Sequence, residues 1–183
     1  MTDEEPEEDY LDEEELDALE FKLLIEWLET VPTSEWHVLA HEWSYDNSKD
    51  ILRWLIANPR TEKATALMIY WMAGARFYKQ YGSAKEARAR AAYEGAWWEF
   101  IHDLEAKYLA DFYTAGSVGF DPRRDGFPGH NGHDWTRAYQ EYPLRSPLPA
   151  VMEQAVPGMQ PVSEVVYIEG IPEHIWEQLE KYF

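Results

Sequence analysis

The chain has 183 residues and a mass of 21.5 kDa, with 35 acidic against 16 basic side chains and a formal net charge of −19. This length suits a single domain, and the hydrophobic content of 45% is too high for a disordered chain. A protein with this much negative charge is repelled by phosphate backbones and by anionic membranes. Neither a nucleic acid nor a membrane is therefore an expected partner. A basic protein remains compatible with this charge.

Cysteine is absent from the sequence. Disulfides, thiolate metal sites and cysteine nucleophiles are therefore excluded. The first residues are acidic, where a signal peptide would be basic and then apolar. The longest nearly apolar stretch, over 64–75, is shorter than the about 20 residues that span a bilayer. These features predict a soluble, cytoplasmic protein.

The negative charge is concentrated at the start of the chain. Residues 1–30 hold 14 acidic side chains and one basic side chain, Lys22, which gives −13 of the total −19. Residues 1–9 have almost no apolar content, and we predict an acidic disordered tail there. A single helical domain is predicted over 10–183.

Helical periodicity dominates the first two thirds of the chain. Apolar residues recur at steps of three and four over 10–31, and Pro32 ends this helix. Similar patterns predict helices over 33–44, 49–57 and 62–72, followed by one long helix over 84–112. The helix over 62–72 is apolar on nearly all sides, which predicts that it is the buried centre of the fold.

The last third contains most of the prolines and reads as irregular from about residue 113. We divide the domain into a helical body (10–125), an irregular loop (126–162) and a short strand with a terminal helix (163–183). The fold class is thus mainly α, a compact helical bundle of five to six helices with a long irregular loop and at most one or two short strands.

Two histidine pairs are candidate ligands or catalytic groups. His37 and His41 are four residues apart on one predicted helix, a spacing found in zinc sites, but the sequence there is not HExxH. His130 and His133 lie in a glycine-rich segment that either clusters ligands or forms a polar turn. The favoured interpretation is ordinary hydrogen-bonded or solvent-facing histidines, so we expect no metal, no cofactor and no catalytic residue.

A basic patch surrounds the start of the predicted long helix. We expect it to neutralise the acidic first helix within the molecule rather than to bind an anion. Its members are Arg76, Lys79, Lys85, Arg88 and Arg90. Most of the nine tryptophans fall on predicted core stripes, whereas Trp98 and Trp135 fit these stripes less well and are candidate surface anchors.

Several short blocks resemble a bacterial helical module. They are Trp36-His37-x-Leu39-Ala40, Tyr45-Asp46, Leu52-x-Trp54-Leu55-Ile56, Asn58-Pro59 and Thr65-Ala66-Leu67-x-Ile69-Tyr70-Trp71, with Asp111-Phe112-Tyr113 and Val118-Gly119-Phe120-Asp121-Pro122 further on. Over residues 33–125 the chain is similar to the family catalogued as domain of unknown function 4274. The family pattern has Trp-Asp and Cys-Asp where this chain has Tyr45-Asp46 and Thr61-Glu62. The resemblance implies a helical fold and brings no established activity.

We predict a non-enzymatic acidic binding protein, namely an immunity protein that covers the active surface of a cognate, basic bacterial toxin. This step is an analogy with small acidic helical antidotes that are encoded beside toxins. The residues expected to steer the partner are Glu13, Glu14, Asp17 and Glu20. The residues expected to make specific contacts are Asp121, Asp125, Asp134 and Trp135. The alternatives are an intracellular adaptor or regulatory domain, and a metal-dependent hydrolase that uses His37, His41, His130 and His133.

Overall fold

The computed structural model describes residues 11–130 and 132–182. In this part of the chain there are eight α-helices and one two-stranded sheet, which confirms the mainly α class. The helices are α1 (Glu13–Leu28), α2 (Thr33–Glu42), α3 (Asp50–Ala57), α4 (Lys63–Met72), α5 (Ala75–Tyr78), α6 (Ala84–Arg90), α7 (Ala92–Leu109) and α8 (Glu173–Leu179). The antiparallel strands β1 (Tyr167–Ile168) and β2 (Ile171–Pro172) precede α8. The tail predicted over 1–9 lies outside the described residues.

Helix α4 is the centre of the core, as its sequence predicts. All of its residues from Ala64 to Trp71 are buried, and α2, α3 and α7 pack around it. Trp36 of α2 and Leu104 of α7 are both 0% exposed. Full burial of a large apolar side chain contributes about 1.5–3 kcal/mol, so this packing holds α2 firmly in place. Helix α2 carries both histidines of the first pair.

The predicted long helix over 84–112 is in fact two helices. The backbone becomes extended at Ala91, with φ −156° and ψ 143°, and α7 folds back along α6. A Cβ added to Gly95 would lie 2.8 Å from Arg88 Cβ, so the glycine permits this close approach. This break, together with the short helix α5, explains why the described part of the chain has more helices than predicted.

The helical body ends at Leu109, earlier than the predicted boundary at 125. Residues 110–130 and 132–166 form an irregular segment with two short 3-10 turns, Trp135–Arg137 and Ala150–Glu153. The backbone bridges Val118–Met159 and Phe120–Val156 join its two halves. The two halves of the segment are therefore held together by hydrogen bonds, and the buried side chain of Phe120 fixes the segment to the core. No helix in the described ranges is long and apolar enough to cross a bilayer.

The basic patch does not neutralise α1, contrary to the prediction. Lys79 is buried and its Nζ lies 2.7 Å from Glu105 Oε1, while Arg88 pairs with Glu99 at 2.7 Å. These cations are thus paired with carboxylates of α7. Within the described residues, the ion pair that α1 forms is internal, between Lys22 Nζ and a carboxylate oxygen four residues later at 3.9 Å. The acidic face of α1 is left without a basic neighbour from the patch.

Candidate functional site

The irregular segment closes over α2 and brings two histidines and an aspartate together. His41 lies on α2, whereas Asp125 and His130 belong to the segment. Asp125 Oδ2 lies 3.8 Å from His41 Nε2 and 3.5 Å from His130 Nδ1. One donor atom from each residue lies within 4.8 Å of the other two. These three residues are named the His–Asp cluster below.

Backbone hydrogen bonds join residues 125–130 to residues 132–133 in a tight turn. The Asp125 N–H donates to His133 O at 2.9 Å, and the Gly132 N–H donates to Asp125 O at 2.6 Å. Gly129 and Gly132 have φ values of +94° and +77°, a region in which glycine is favoured over side chains with a Cβ. The turn thereby places His130 over the carboxylate of Asp125.

Asp125 is the centre of the cluster and is only 1% exposed. Its Oδ1 accepts a hydrogen bond from the Phe127 N–H, and its Oδ2 accepts one from Trp135 Nε1–H, both at 2.9 Å. Burial by itself raises the pKa of the Asp125 carboxyl, but the contact with His41 and these hydrogen bonds outweigh burial, and the pKa is lowered. The carboxylate is therefore ionised at neutral pH. The prediction that Asp125 contacts a partner at the surface is wrong, because the folded loop buries it.

His41 and His130 each direct a ring nitrogen toward this carboxylate. The His41 ring stacks on Phe127, with ring centroids 3.5 Å apart, and its side chain is 5% exposed. Among the described residues, neither His41 Nε2 nor His130 Nδ1 has a hydrogen-bond partner, and both atoms are buried. Partial burial lowers the pKa of His130, and the neighbouring His41 lowers it further. A neutral imidazole is the form that binds metal ions.

The other two histidines of the predicted set do not join the cluster. His37 is buried, and its Nδ1 lies 3.0 Å from Thr65 Oγ1. Burial, followed by the nearby His41, lowers the pKa of His37 to about 3, so the ring is neutral at physiological pH. His133 is exposed, and its ring packs edge-on against Trp135. The four-histidine site expected for a hydrolase is therefore not assembled, and an aspartate takes part instead.

The remaining predicted contacts in the irregular segment are engaged within the chain. Asp121 Oδ1 accepts a hydrogen bond from the Arg123 N–H at 2.9 Å, and Asp134 Oδ1 accepts one from the Thr136 N–H at 3.1 Å. Trp135 is partly buried and donates its indole N–H within the His–Asp cluster. These three side chains shape the turns around the cluster, and a role in partner contact stays a prediction.

A groove beside α1 is the second candidate site. Five carboxylates from α1, the turn after α2 and the β1–β2 turn line it: Glu13, Asp17, Glu20, Asp46 and Glu169. These residues are named the acidic groove below. The described residues that line the groove include no Lys or Arg. Three of the four predicted steering residues thus share one surface, and the fourth, Glu14, is exposed on the same helix.

We expect Glu20→Gln to stabilise the protein above neutral pH. Partial burial, followed by the charge of Asp17, raises the pKa of Glu20 from 4.5 to about 7. The folded state therefore holds this proton more tightly than the unfolded state, and ionisation costs stability as the pH rises from about 4.5 through 7. After allowance for solvent screening, the substitution should raise the free energy of unfolding by about 1 kcal/mol at pH 8 and leave it unchanged at pH 4.

Urea titrations at the two pH values measure this difference. Glu14→Gln removes an exposed charge from the same helix and is the matched control. A gain at pH 8 that is equal in the two variants would contradict the role of burial at Glu20.

Residues 31–109 match the model of the family described as Domain of unknown function (DUF4274). This stretch is similar to the DUF4274 family and is called the matched region below. The match is shorter than the predicted 33–125, and the blocks over 111–113 and 118–122 lie outside it. Comparison with curated proteins and with solved structures finds no match.

The matched region holds only part of either candidate site. It includes His41, but Asp125 and His130 follow its end, and α1 precedes its start. Both sites are therefore assembled where the matched region meets the flanking parts of the chain. The family description itself assigns no activity to either site.

Proposed function

We propose that this protein is a non-enzymatic immunity protein that binds and neutralises a basic toxin through the acidic groove. The observation that carries the proposal is the uncompensated charge of the groove, where five carboxylates meet and no lining residue among those described is cationic. A cationic partner relieves the repulsion among these carboxylates. The same field steers the partner to this face and speeds the encounter.

Glu20 supports this proposal because its carboxyl has no counter-charge among the described residues. Burial and Asp17 raise the pKa of Glu20 to about 7 in the free protein. A Lys or Arg of the partner placed beside Glu20 would lower this pKa, so binding would release a proton. Affinity should therefore rise as the pH increases through 7.

Under this proposal the protein acts in the bacterial cytoplasm, and the groove covers the toxin's active surface. Nucleic acids and anionic membranes are not proposed as partners, because their phosphates are repelled by the groove. An adaptor would use the same groove for a partner that is not toxic. The identity of the protein encoded by the adjacent gene separates these two roles.

The test combines the protein with the product of the adjacent gene. Wild-type protein should protect cells that express this product and should co-purify with it. In stopped-flow binding at low salt, Glu13→Gln/Asp17→Asn should lower the association rate constant about tenfold, with a much smaller effect at high salt. These substitutions leave the capping box of Asp12 and Glu15 intact.

The matched control removes two exposed carboxylates outside the groove, Glu141→Gln/Glu164→Gln. It has the same net charge as the first variant and should associate nearly as fast as the wild type. A harmless neighbouring product that is not retained would overturn the immunity proposal. Equal losses in the two double variants would overturn the groove as the docking surface.

A further inference from the structure

The His–Asp cluster has the donor set and the spacing of a transition-metal site. Two ligand atoms bound to zinc at about 2.0–2.1 Å with a tetrahedral angle lie roughly 3.3 Å apart. The separations from Asp125 Oδ2 are 3.5 Å to His130 Nδ1 and 3.8 Å to His41 Nε2. The two histidine nitrogen atoms lie within 4.8 Å of each other. The point equidistant from the three atoms is thus at most about 2.4 Å from each, so each side chain would move inward by a few tenths of an ångström to bind zinc.

Two buried nitrogen atoms in the cluster lack hydrogen bonds. His41 Nε2 and His130 Nδ1 have no partner among the described residues, and the His41 side chain is 5% exposed. A buried polar atom without a partner is costly, so a native structure normally satisfies it with protein, water or an ion. Here both atoms face the same carboxylate oxygen. A cation at this point satisfies all three donor atoms together.

The surroundings hold these side chains as a metal site requires. Metal ligands are usually oriented by further hydrogen bonds and packing. The Asp125 carboxylate is fixed by the Phe127 N–H and by Trp135 Nε1–H. The His41 ring is fixed by α2 and by its stacking on Phe127, and the His130 ring meets the edge of Trp135.

We infer that the His–Asp cluster binds one Zn²⁺ ion through His41 Nε2, Asp125 Oδ2 and His130 Nδ1. Imidazole ligands favour zinc and its transition-metal neighbours over Mg²⁺ and Ca²⁺, which prefer oxygen ligands. The His130 side chain is 38% exposed, which gives the ion a route from solvent and leaves a fourth position for water. The ion ties the loop that follows the matched region to α2, and this role does not depend on the proposed toxin partner.

The experiment uses the full-length, tag-free chain after treatment with a chelator. Calorimetric titration with Zn²⁺ should show one bound ion per chain, and the same titration with Mg²⁺ should show none. Zn²⁺ should also raise the midpoint of thermal unfolding by several degrees, because an ion that binds only the folded state stabilises it. Excess chelator should reverse this shift.

Variants of the loop test the ligand assignment. His130→Ala and Asp125→Asn should each weaken Zn²⁺ binding at least tenfold and abolish the thermal shift. His133→Ala removes an exposed histidine from the same loop and should bind Zn²⁺ like the wild type. Far-UV circular dichroism of each variant verifies that the helices are retained, and His130 is exposed enough that its loss leaves the core untouched.

Two results would overturn the inference. The first is a wild-type chain that takes up no Zn²⁺ at micromolar concentrations, which would mean that water satisfies the two nitrogen atoms. The second is an equal loss of affinity in His133→Ala and His130→Ala, which would show that Zn²⁺ binds elsewhere on the loop. Both readouts are independent of any partner protein, so they are unaffected by failure of the immunity proposal.

Discussion

Glu105→Gln should lower the free energy of unfolding by about 3–5 kcal/mol, because it leaves a buried ammonium group without its counter-charge. Lys79 is 2% exposed, and its Nζ lies 2.7 Å from Glu105 Oε1. The other carboxylate oxygen, Oε2, accepts a hydrogen bond from the Tyr70 hydroxyl at 2.6 Å. This network joins α4 and α7 to the end of α5 inside the core.

A double-mutant cycle and a surface control separate this effect from general loss of charge. Lys79→Met/Glu105→Gln leaves no buried unpaired ion, so the double variant should be clearly more stable than Glu105→Gln alone. Glu99→Gln breaks the half-exposed ion pair with Arg88 and should cost at most about 1 kcal/mol. Urea unfolding at pH 7 measures all of these values. A loss at Glu105 as small as that at Glu99 would show that the buried pair does not stabilise the fold.

Gly158→Ala should cost about 2–3 kcal/mol, because the added methyl group would collide with backbone rather than with a movable side chain. A Cβ at Gly158 would lie 2.4 Å from the carbonyl carbon of Val118. The two halves of the irregular segment cross here, beside the Val118–Met159 bridge. They would have to separate to admit the methyl group.

Gly126→Ala is the control for this substitution. Its Cβ would approach the end of the Gln160 side chain at 3.3 Å, and that side chain is able to move. We expect a change in the free energy of unfolding within about 0.5 kcal/mol, again from urea titration. If the two alanine variants lose similar stability, the crossing at Gly158 is not the tight contact that the structure describes.

The sequence predicts a helix correctly where the apolar pattern agrees with the local signals that start and end the helix. The bounds of α3, Asp50–Ala57, lie within one residue of the predicted 49–57, because Asn58-Pro59 ends the helix locally. The break between α6 and α7 has no such signal, since Ala91 is a good helix former. Gly95 allows α7 to pack closely against α6. This role is evident only from the folded structure, in which Arg88 lies against Gly95.

The sequence indicates the two histidines of the His–Asp cluster but not its aspartate. The spacing of His37 and His41 and the glycine-rich turn around His130 each indicated possible ligands. Asp125 is 84 residues from His41 and is one of 35 acidic residues, so nothing local marks it as their common partner. The signal in the sequence that points to Asp125 is its position just before the turn Gly126-Phe127-Pro128-Gly129.

Three properties follow from the sequence alone: the mainly α class, the burial of α4 and the concentration of −13 of the −19 charges in the first 30 residues. These properties depend on composition and on periodicity along the chain. The folded structure, in contrast, determines which charges are compensated. It paired Lys79 with Glu105 instead of with α1, buried Asp125 between two histidines and left the acidic groove without a cation among its described residues. Such pairing follows from distances between residues far apart in sequence, because electrostatic and metal-binding interactions act over a few ångströms of space.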